Sequence, residues 1–303
     1  MSNNFNNLIL LLLNKNLEKR ASMSYLILID DISKTFGYLP ANSEVFLTSM
    51  LKPIPEFLRL IRKIHLSSFL PFKELWMFRW DRIITKYDCV ILADAGNSYN
   101  VACYIKKKFP SKRIIIWFRN SVNSSVLNPN LLDKSICEKW SFDKKDCQKY
   151  EMKFNDQVYS RNINLPNENI IYDAFFIGKD KGRINQLLDL KNNLDQQSIV
   201  SLFHIVASKG CDVKKYSYKP PVSYDQIVKY IAQSKTIIDF QAEWQEGLTW
   251  RPLEALFFKK KLITNCKKII DYDFYNPNNI FVIGLDDINS LKNFINEDYK
   301  NIG

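Results

Sequence analysis

Residues 235–265 read KTIIDFQAEWQEGLTWRPLEALFFKKKLITN. Thr236 to Phe240 is a short β-branched and apolar run, which predicts a buried strand. Gln241 to Thr249 is a polar turn with one glycine, Gly247. Trp250 to Phe258 places Leu253, Leu256 and Phe257 on one face of a short helix, and Lys261 to Thr264 returns as a second strand. Strand, loop, helix and strand make a βαβ unit, and in open α/β sheets ligands sit beyond the carboxyl ends of such strands.

Two carboxylates frame the helix start. Glu246 falls in the loop before it, and Glu254 about one turn inside. A helix N-terminus offers backbone N–H groups and the positive end of the dipole, which suits phosphate. Carboxylates beside that anion site can accept hydrogen bonds from sugar hydroxyls. The chemistry implied is recognition of a nucleotide-sugar.

The turn FIGKDKGR, Phe176 to Arg183, joins a predicted strand (Ile170–Ile177) to a helix and carries Lys179, Lys181 and Arg183. Cations close to a helix start suit a diphosphate.

The run from Glu246 through Gly247, Leu248, Thr249, Trp250, Arg251, Pro252 and Leu253 to Glu254 and Ala255 resembles the donor-site motif of retaining GT-B glycosyltransferases. Their motif is Glu, seven residues, Glu, usually within E-G-F-G-x-x-x-x-E-A; here Thr249 replaces the second glycine. Together with K-K-L-I-T-N after it, the stretch is similar to bacterial polysaccharide and lipopolysaccharide glycosyltransferases. The resemblance implies two Rossmann-like parallel-sheet domains facing across a cleft: residues 1–160 for the acceptor and 161–303 for the nucleotide-sugar. It implies that Lys179 and Arg183 meet the donor diphosphate, with Lys181 a weaker candidate. Glu254 would hold the ribose hydroxyls and Glu246 the transferred sugar. Gly247, Leu248 and Thr249 would offer backbone N–H groups, and Thr249 its hydroxyl, to phosphate. Arg251 either adds charge there or lies along the surface. The implied partners are a nucleoside-diphosphate sugar, a glycan or lipid-linked glycan acceptor at the inner membrane face, and an anionic membrane surface; no cofactor is implied. A retaining enzyme needs no strong base. If the enzyme inverts, Asp30, Asp31 or Asp94, at strand ends of the first domain, are the candidate bases, and Asp94 is also a candidate acceptor contact.

The chain has 303 residues, 46% of them hydrophobic, enough for two domains with sizeable cores. Its net charge of +11 suits phosphorylated small molecules, anionic lipid or nucleic acid. The charge is spread in short runs such as Lys106–Lys108 and Lys259–Lys261, which disfavours a nucleic-acid-binding protein. Neither G-x-G-x-x-G nor a phosphate loop ending in Gly-Lys-Ser/Thr occurs, which disfavours a nicotinamide dehydrogenase or a nucleoside triphosphatase. A nucleotide-sugar epimerase on the same fold is the nearest rival, and the only histidines, His65 and His204, are poorly placed for it. The six cysteines show no metal-ligand spacing and read as reduced thiols in the cytoplasm. Asp271 to Asp273 is the sole D-x-D, outside any convincing loop, so metal independence is expected. Leu8 to Leu13 is a six-residue apolar run, well short of the roughly 20 residues of a spanning helix.

Along the rest of the chain, strands are expected at Tyr25–Ile29, Cys89–Ala93, Arg113–Phe118, Lys139–Phe142, Ser201–Val206 and Asn279–Ile283. Amphipathic helices are expected from Pro55, with Phe57, Leu58, Ile61 and Ile64 in register, and over Glu74–Ile84. Further helices are expected over Asn97–Lys108, from Asp143 to about Tyr150, over Ser223–Ser234 and over Ile288–Ile295. The asparagine-rich stretch 154–169 is read as the link between domains.

Overall fold

The computed structural model describes residues 23–29, 44–157, 163–208, 210–211, 213, 216–243 and 245–301. Asp30, Asp31 and the Leu8–Leu13 run lie outside the described residues. The chain divides into two compact units, Met1–Asn162 and Ile163–Gly303. Each is built on a parallel sheet flanked by helices, a Rossmann-like arrangement.

In the first unit the order is β1 (Tyr25–Ile29), β2 (Val45–Ser49), α1 (Leu58–Ser67), β3 (Cys89–Ala93), α2 (Ser98–Lys108), β4 (Arg113–Phe118), β5 (Glu138–Ser141), α3 (Lys144–Tyr150) and β6 (Lys153–Phe154). The sheet order is β2-β1-β3-β4-β5-β6, with every neighbouring pair parallel. The runs YLILI of β1 and CVILA of β3 are buried along their whole length, as strands covered on both faces must be. Leu26, Leu28, Val90, Leu92, Ile114 and Ile116 pack against Val101, Ala102 and Ile105 of α2. Asp143 caps α3 by accepting the amides of Lys145 (2.9 Å) and Asp146 (3.3 Å).

The helix expected over Glu74–Ile84 does not form. Residues 73–86 make three short 3-10 turns separated by extended residues. Met77 bridges Leu51 in antiparallel fashion, and the Lys52 amide donates to the Trp76 carbonyl at 2.8 Å. That pairing at the edge of the unit pulls the chain straight where helical periodicity alone favoured a continuous helix. Trp80 is buried and donates its indole N–H to the Met50 carbonyl (2.6 Å).

The second unit runs β7 (Tyr172–Lys179), α4 (Ile184–Gln196), β8 (Ser201–Val206), α5 (Tyr224–Ala232), β9 (Ser234–Asp239), α6 (Trp250–Phe257), β10 (Lys261–Thr264), β11 (Ile280–Val282) and α7 (Leu291–Asn296). Its sheet order is β11-β10-β9-β7-β8, again parallel throughout. Alternation along the strands splits the core in two. Phe176, Ile238, Ile263 and Phe281 face Leu187, Leu190 and Leu194 of α4 with Leu291 and Phe294. Phe175, Ile237, Leu262 and Ile280 face Ile231 of α5 and Ala255 of α6.

In each sheet the strand order reverses once. After β8 the chain crosses to the other side of β7 to lay down β9, so the reversal lies between β7 and β9. In the first unit it lies between β1 and β3. A crevice opens beyond the carboxyl ends of strands at such a reversal, where open α/β sheets take ligands.

Candidate functional site

The carboxyl end of β7 leads into Lys179, Asp180, Lys181, Gly182 and Arg183. The backbone is left-handed at both Lys181 (φ 53°) and Gly182 (φ 81°), which folds the turn tightly between strand and helix. Asp180 is buried and accepts hydrogen bonds from the Tyr218 hydroxyl (2.6 Å) and the Cys211 thiol (2.9 Å). The Lys181 amide donates to Ser208 Oγ (2.7 Å) and the Asp180 amide to the Val206 carbonyl (2.9 Å), which ties the turn to the end of β8. Arg183 lies over the Phe176 ring, 5.4 Å from its centroid, and donates to the Lys179 carbonyl at 2.9 Å. A Cβ at Gly178 would come within 3.0 Å of the Arg183 guanidinium, so the strand end needs a glycine for the guanidinium to settle there.

Across the strand reversal, β9 ends in Asp239, which is buried. Thr249 Oγ1 donates to one carboxylate oxygen at 2.8 Å; Thr264 Oγ1 (3.4 Å) and Gln241 Nε2 (3.5 Å) reach the other. The loop into α6 is locked by side-chain amides. Gln241 and Gln245 both donate to the Gly247 carbonyl at 3.2 Å, and Asn265 exchanges hydrogen bonds with the Gln241 backbone. Thr249 then caps α6 by accepting the Arg251 amide at 3.1 Å.

Burial pushes the Asp239 carboxyl up, and the Thr249 hydrogen bond with the nearby Arg183 and Arg251 opposes that shift. Burial pushes the Lys181 ammonium down to about 8, and the neighbouring Arg183 and Lys179 push the same way, while Asp239 pulls it up. Lys181, Arg183 and Arg251 thus act electrostatically on one buried carboxylate at the strand reversal, while Asp180 also acts on Arg183 and Glu254 pairs with Arg251. At Lys181 the desolvation and the repulsion of Arg183 and Lys179 both disfavour the charged form, and an anion alongside would oppose both.

The sequence-derived residues fall in different places. Arg183, Arg251 and Lys181 lie near enough to act on the Asp239 charge, and Lys179 is exposed. Thr249 donates its hydroxyl proton to Asp239. Glu254, near the start of α6, is fully buried. The Tyr224 hydroxyl donates to its Oε1 at 2.8 Å, and Arg251 forms an ion pair with its Oε2. Burial pushes the Glu254 carboxyl up; Arg251 and Tyr224 pull it down. Pro252 and Ala255 of the same helix are also buried. Arg251 is held by this pair and does not lie along the surface. Glu246 is separate: its carboxylate meets Lys268 Nζ at 3.0 Å. Leu248 is buried in the core beside α6, and Gly247 accepts from the two glutamines.

Asp94 belongs to the first unit, just past β3 and beside that unit's strand reversal. It is buried and accepts both the backbone N–H and Nε–H of Arg119 at 3.3 Å. Burial pushes its carboxyl up, with Arg119 opposing.

Asp239 and Tyr224 escaped the sequence reading. Asp239 had a visible signal, an acid closing an otherwise apolar buried strand. Tyr224 had none, since only the fold brings α5 to α6. His65 and His204 both bond backbone carbonyls, of Pro71 and Pro220, at 2.8 Å. All six cysteines are free thiols. No group of acidic, histidine or cysteine side chains suited to a metal occurs among the described residues, and no described helix is long and apolar enough to cross a membrane.

No protein-family model and no curated protein matches the sequence. Among solved structures, the chain is similar to a lipopolysaccharide outer core galactosyltransferase, WaaB, in its apo form (13% identity, TM-score 0.42, 90% of this chain and 89% of that one). It is also similar to the UDP-GlcNAc 2-epimerase of Methanocaldococcus jannaschii in complex with UDP-GlcNAc and UDP (12% identity, TM-score 0.45, 92% and 94%). A third is an alpha1,3-fucosyltransferase with GDP (11% identity, TM-score 0.39, 92% and 80%). None of these likenesses assigns a substrate or a residue role to this chain.

Proposed function

We propose that this chain is a glycosyltransferase of the GT-B type, retaining in mechanism, that moves a sugar from a nucleoside diphosphate to a surface-glycan acceptor. The observation that carries the reading is the cation cluster at the strand reversal of the second unit. Lys181, Arg183 and Arg251 act electrostatically on Asp239, at the strand ends where an open sheet takes its ligand. In this reading the diphosphate lies against Lys179, Lys181 and Arg183, with the start of α6 and the Gly247–Thr249 backbone beside it. Arg251 adds charge, and Glu254 fixes Arg251 from behind. Glu246 faces the transferred sugar. The first unit takes the acceptor, with Asp94 among its contacts.

The test is calorimetric titration of nucleoside diphosphates and of the bare nucleosides, after a thermal-shift panel has found the preferred base. A ligand at 100 times its Kd should add about 2.7 kcal/mol of stability. Replacing Lys179 and Arg183 together by Ala should weaken the diphosphate far more than the nucleoside. Equal loss for both ligands, or no stabilising nucleotide in the panel, would remove the reading.

A further inference from the structure

Helix α1 is inside out. Phe57, Leu60, Ile61 and Ile64 fall at i, i+3, i+4 and i+7, the spacing of an apolar stripe that ordinarily meets the core. All four side chains are exposed, and Leu66 is the one residue of the helix that is buried. The chain then continues as Ser68-Phe69-Leu70-Pro71-Phe72, with Phe69 fully exposed and Leu70 and Phe72 largely so. Hydrogen bonds tie this loop to the helix and to Trp76. His65 Nδ1 accepts the Trp76 indole N–H (2.8 Å), which leaves Nε2–H to donate to the Pro71 carbonyl (2.8 Å). Ser68 Oγ donates to the His65 carbonyl and accepts the Leu70 amide, and Lys73 reaches back to the Leu66 carbonyl. Phe72 sits in the left-handed region (φ 64°), a costly conformation for an aromatic residue, and its ring still points to solvent.

The surroundings are cationic. Residues 52–86 contain eight Lys and Arg against three acids. Lys63, Arg79 and Arg82 are exposed, and Glu56 pairs with Arg59 (3.4 Å). An apolar helix face and an aromatic loop set among cations match an anionic lipid interface, where the rings enter the acyl boundary and the cations meet headgroups. A second copy of the chain fits worse, because a symmetric contact would set this basic surface against itself.

We infer that the first unit docks on an anionic bilayer through the outward face of α1 and the Phe69–Phe72 loop. Docking stands independently of the transferase reading, since it invokes no residue of the nucleotide site. The experiment is co-sedimentation of the full chain with phosphatidylcholine vesicles with and without phosphatidylglycerol. Wild type should partition onto the anionic vesicles alone. Ile61→Asp with Phe69→Asp should weaken that partition at least about tenfold, a factor worth about 1.4 kcal/mol, with an unchanged thermal melt because both side chains are exposed in solution. Phe69→Trp should shift its emission to the blue on anionic vesicles. Three results would overturn the inference: no wild-type partition onto anionic vesicles, equal partition by the double variant, or a wild-type dimer that the same substitutions convert to monomer.

Discussion

Thr249 donates its hydroxyl to Asp239 across the loop that joins β9 to α6, at 2.8 Å, while its oxygen accepts the Arg251 amide at 3.1 Å. One side chain thus starts the helix and satisfies the buried acid. Thr249→Val keeps the shape and removes both bonds. The lost cap costs about 0.5–2 kcal/mol, and the lost hydrogen bond to a charged group about 1.5–3 kcal/mol more. Urea denaturation should show a lower midpoint at unchanged slope, and Thr249→Ser should recover most of the difference. A valine variant as stable as the serine variant would show that the bond pair contributes nothing.

Lys181 gives the proposed nucleotide site a pH dependence. Burial and the adjacent cations hold its ammonium at about 8 in the free protein. A bound diphosphate favours the charged form and raises that value in the complex. Below pH 8 the lysine is already charged and affinity does not depend on its titration. Above pH 8 binding must take up a proton, so affinity falls as pH rises, by up to about tenfold per unit until the raised value is reached. Calorimetry in buffers of different ionisation heat should detect the proton uptake, and Lys181→Met should abolish it. An affinity flat across that range in wild type would place Lys181 away from the ligand.

The second unit was largely legible in the sequence because its strands alternate between two apolar layers. The β10 run Lys261–Thr264 and the β8 run Ser201–Val206 stand where periodicity put them, and Ser223 caps the helix expected to begin at it, as Asp143 does in the first unit. Periodicity failed where tertiary contacts override it. Residues 73–86 break into turns because Met77 pairs with Leu51. The strand Val45–Ser49 went unread because it lies on the sheet edge, and half-exposed residues interrupt its apolar pattern. In the site, spacing found Glu254 and Arg251 but not their depth. Burial depends on which face of α6 meets the sheet, and a pair of acids seven residues apart carries no record of that.

Asp94 and Arg119 form the corresponding ion pair of the first unit. Asp94→Asn preserves the side chain's shape and leaves the guanidinium facing a neutral amide. The first unit should lose about 1.5–3 kcal/mol, the range for hydrogen bonds to a charged group. Nucleoside diphosphate affinity should hold, since the proposed nucleotide site lies in the other unit, and transfer should fall if Asp94 meets the acceptor. A variant with wild-type melting would show that the pair carries no stability.

Glu246 and Glu254 separate most sharply under substitution. Glu254 is fully buried between the Tyr224 hydroxyl and the Arg251 guanidinium. Glu254→Ala strands a largely buried cation and should cost about 3–5 kcal/mol of folding stability, as for other broken buried pairs. Glu254→Gln keeps an acceptor for one partner, so its loss should be smaller, and any fall in donor affinity should track the release of Arg251. Arg251→Met with Glu254→Leu removes both charges together and should recover much of the stability lost by the alanine variant. Glu246 behaves otherwise. It meets Lys268 at 3.0 Å on a partly exposed surface, and Glu246→Gln should leave the melt within about 0.5 kcal/mol of wild type. In the transferase reading the same variant binds nucleoside diphosphate normally and transfers sugar slowly. Paired measurements of unfolding, donor binding and transfer therefore give each acid its own signature: a fold defect for Glu254 and a transfer defect for Glu246. Wild-type stability in Glu254→Ala would contradict the buried pair, and wild-type transfer in Glu246→Gln would remove that acid from the chemistry.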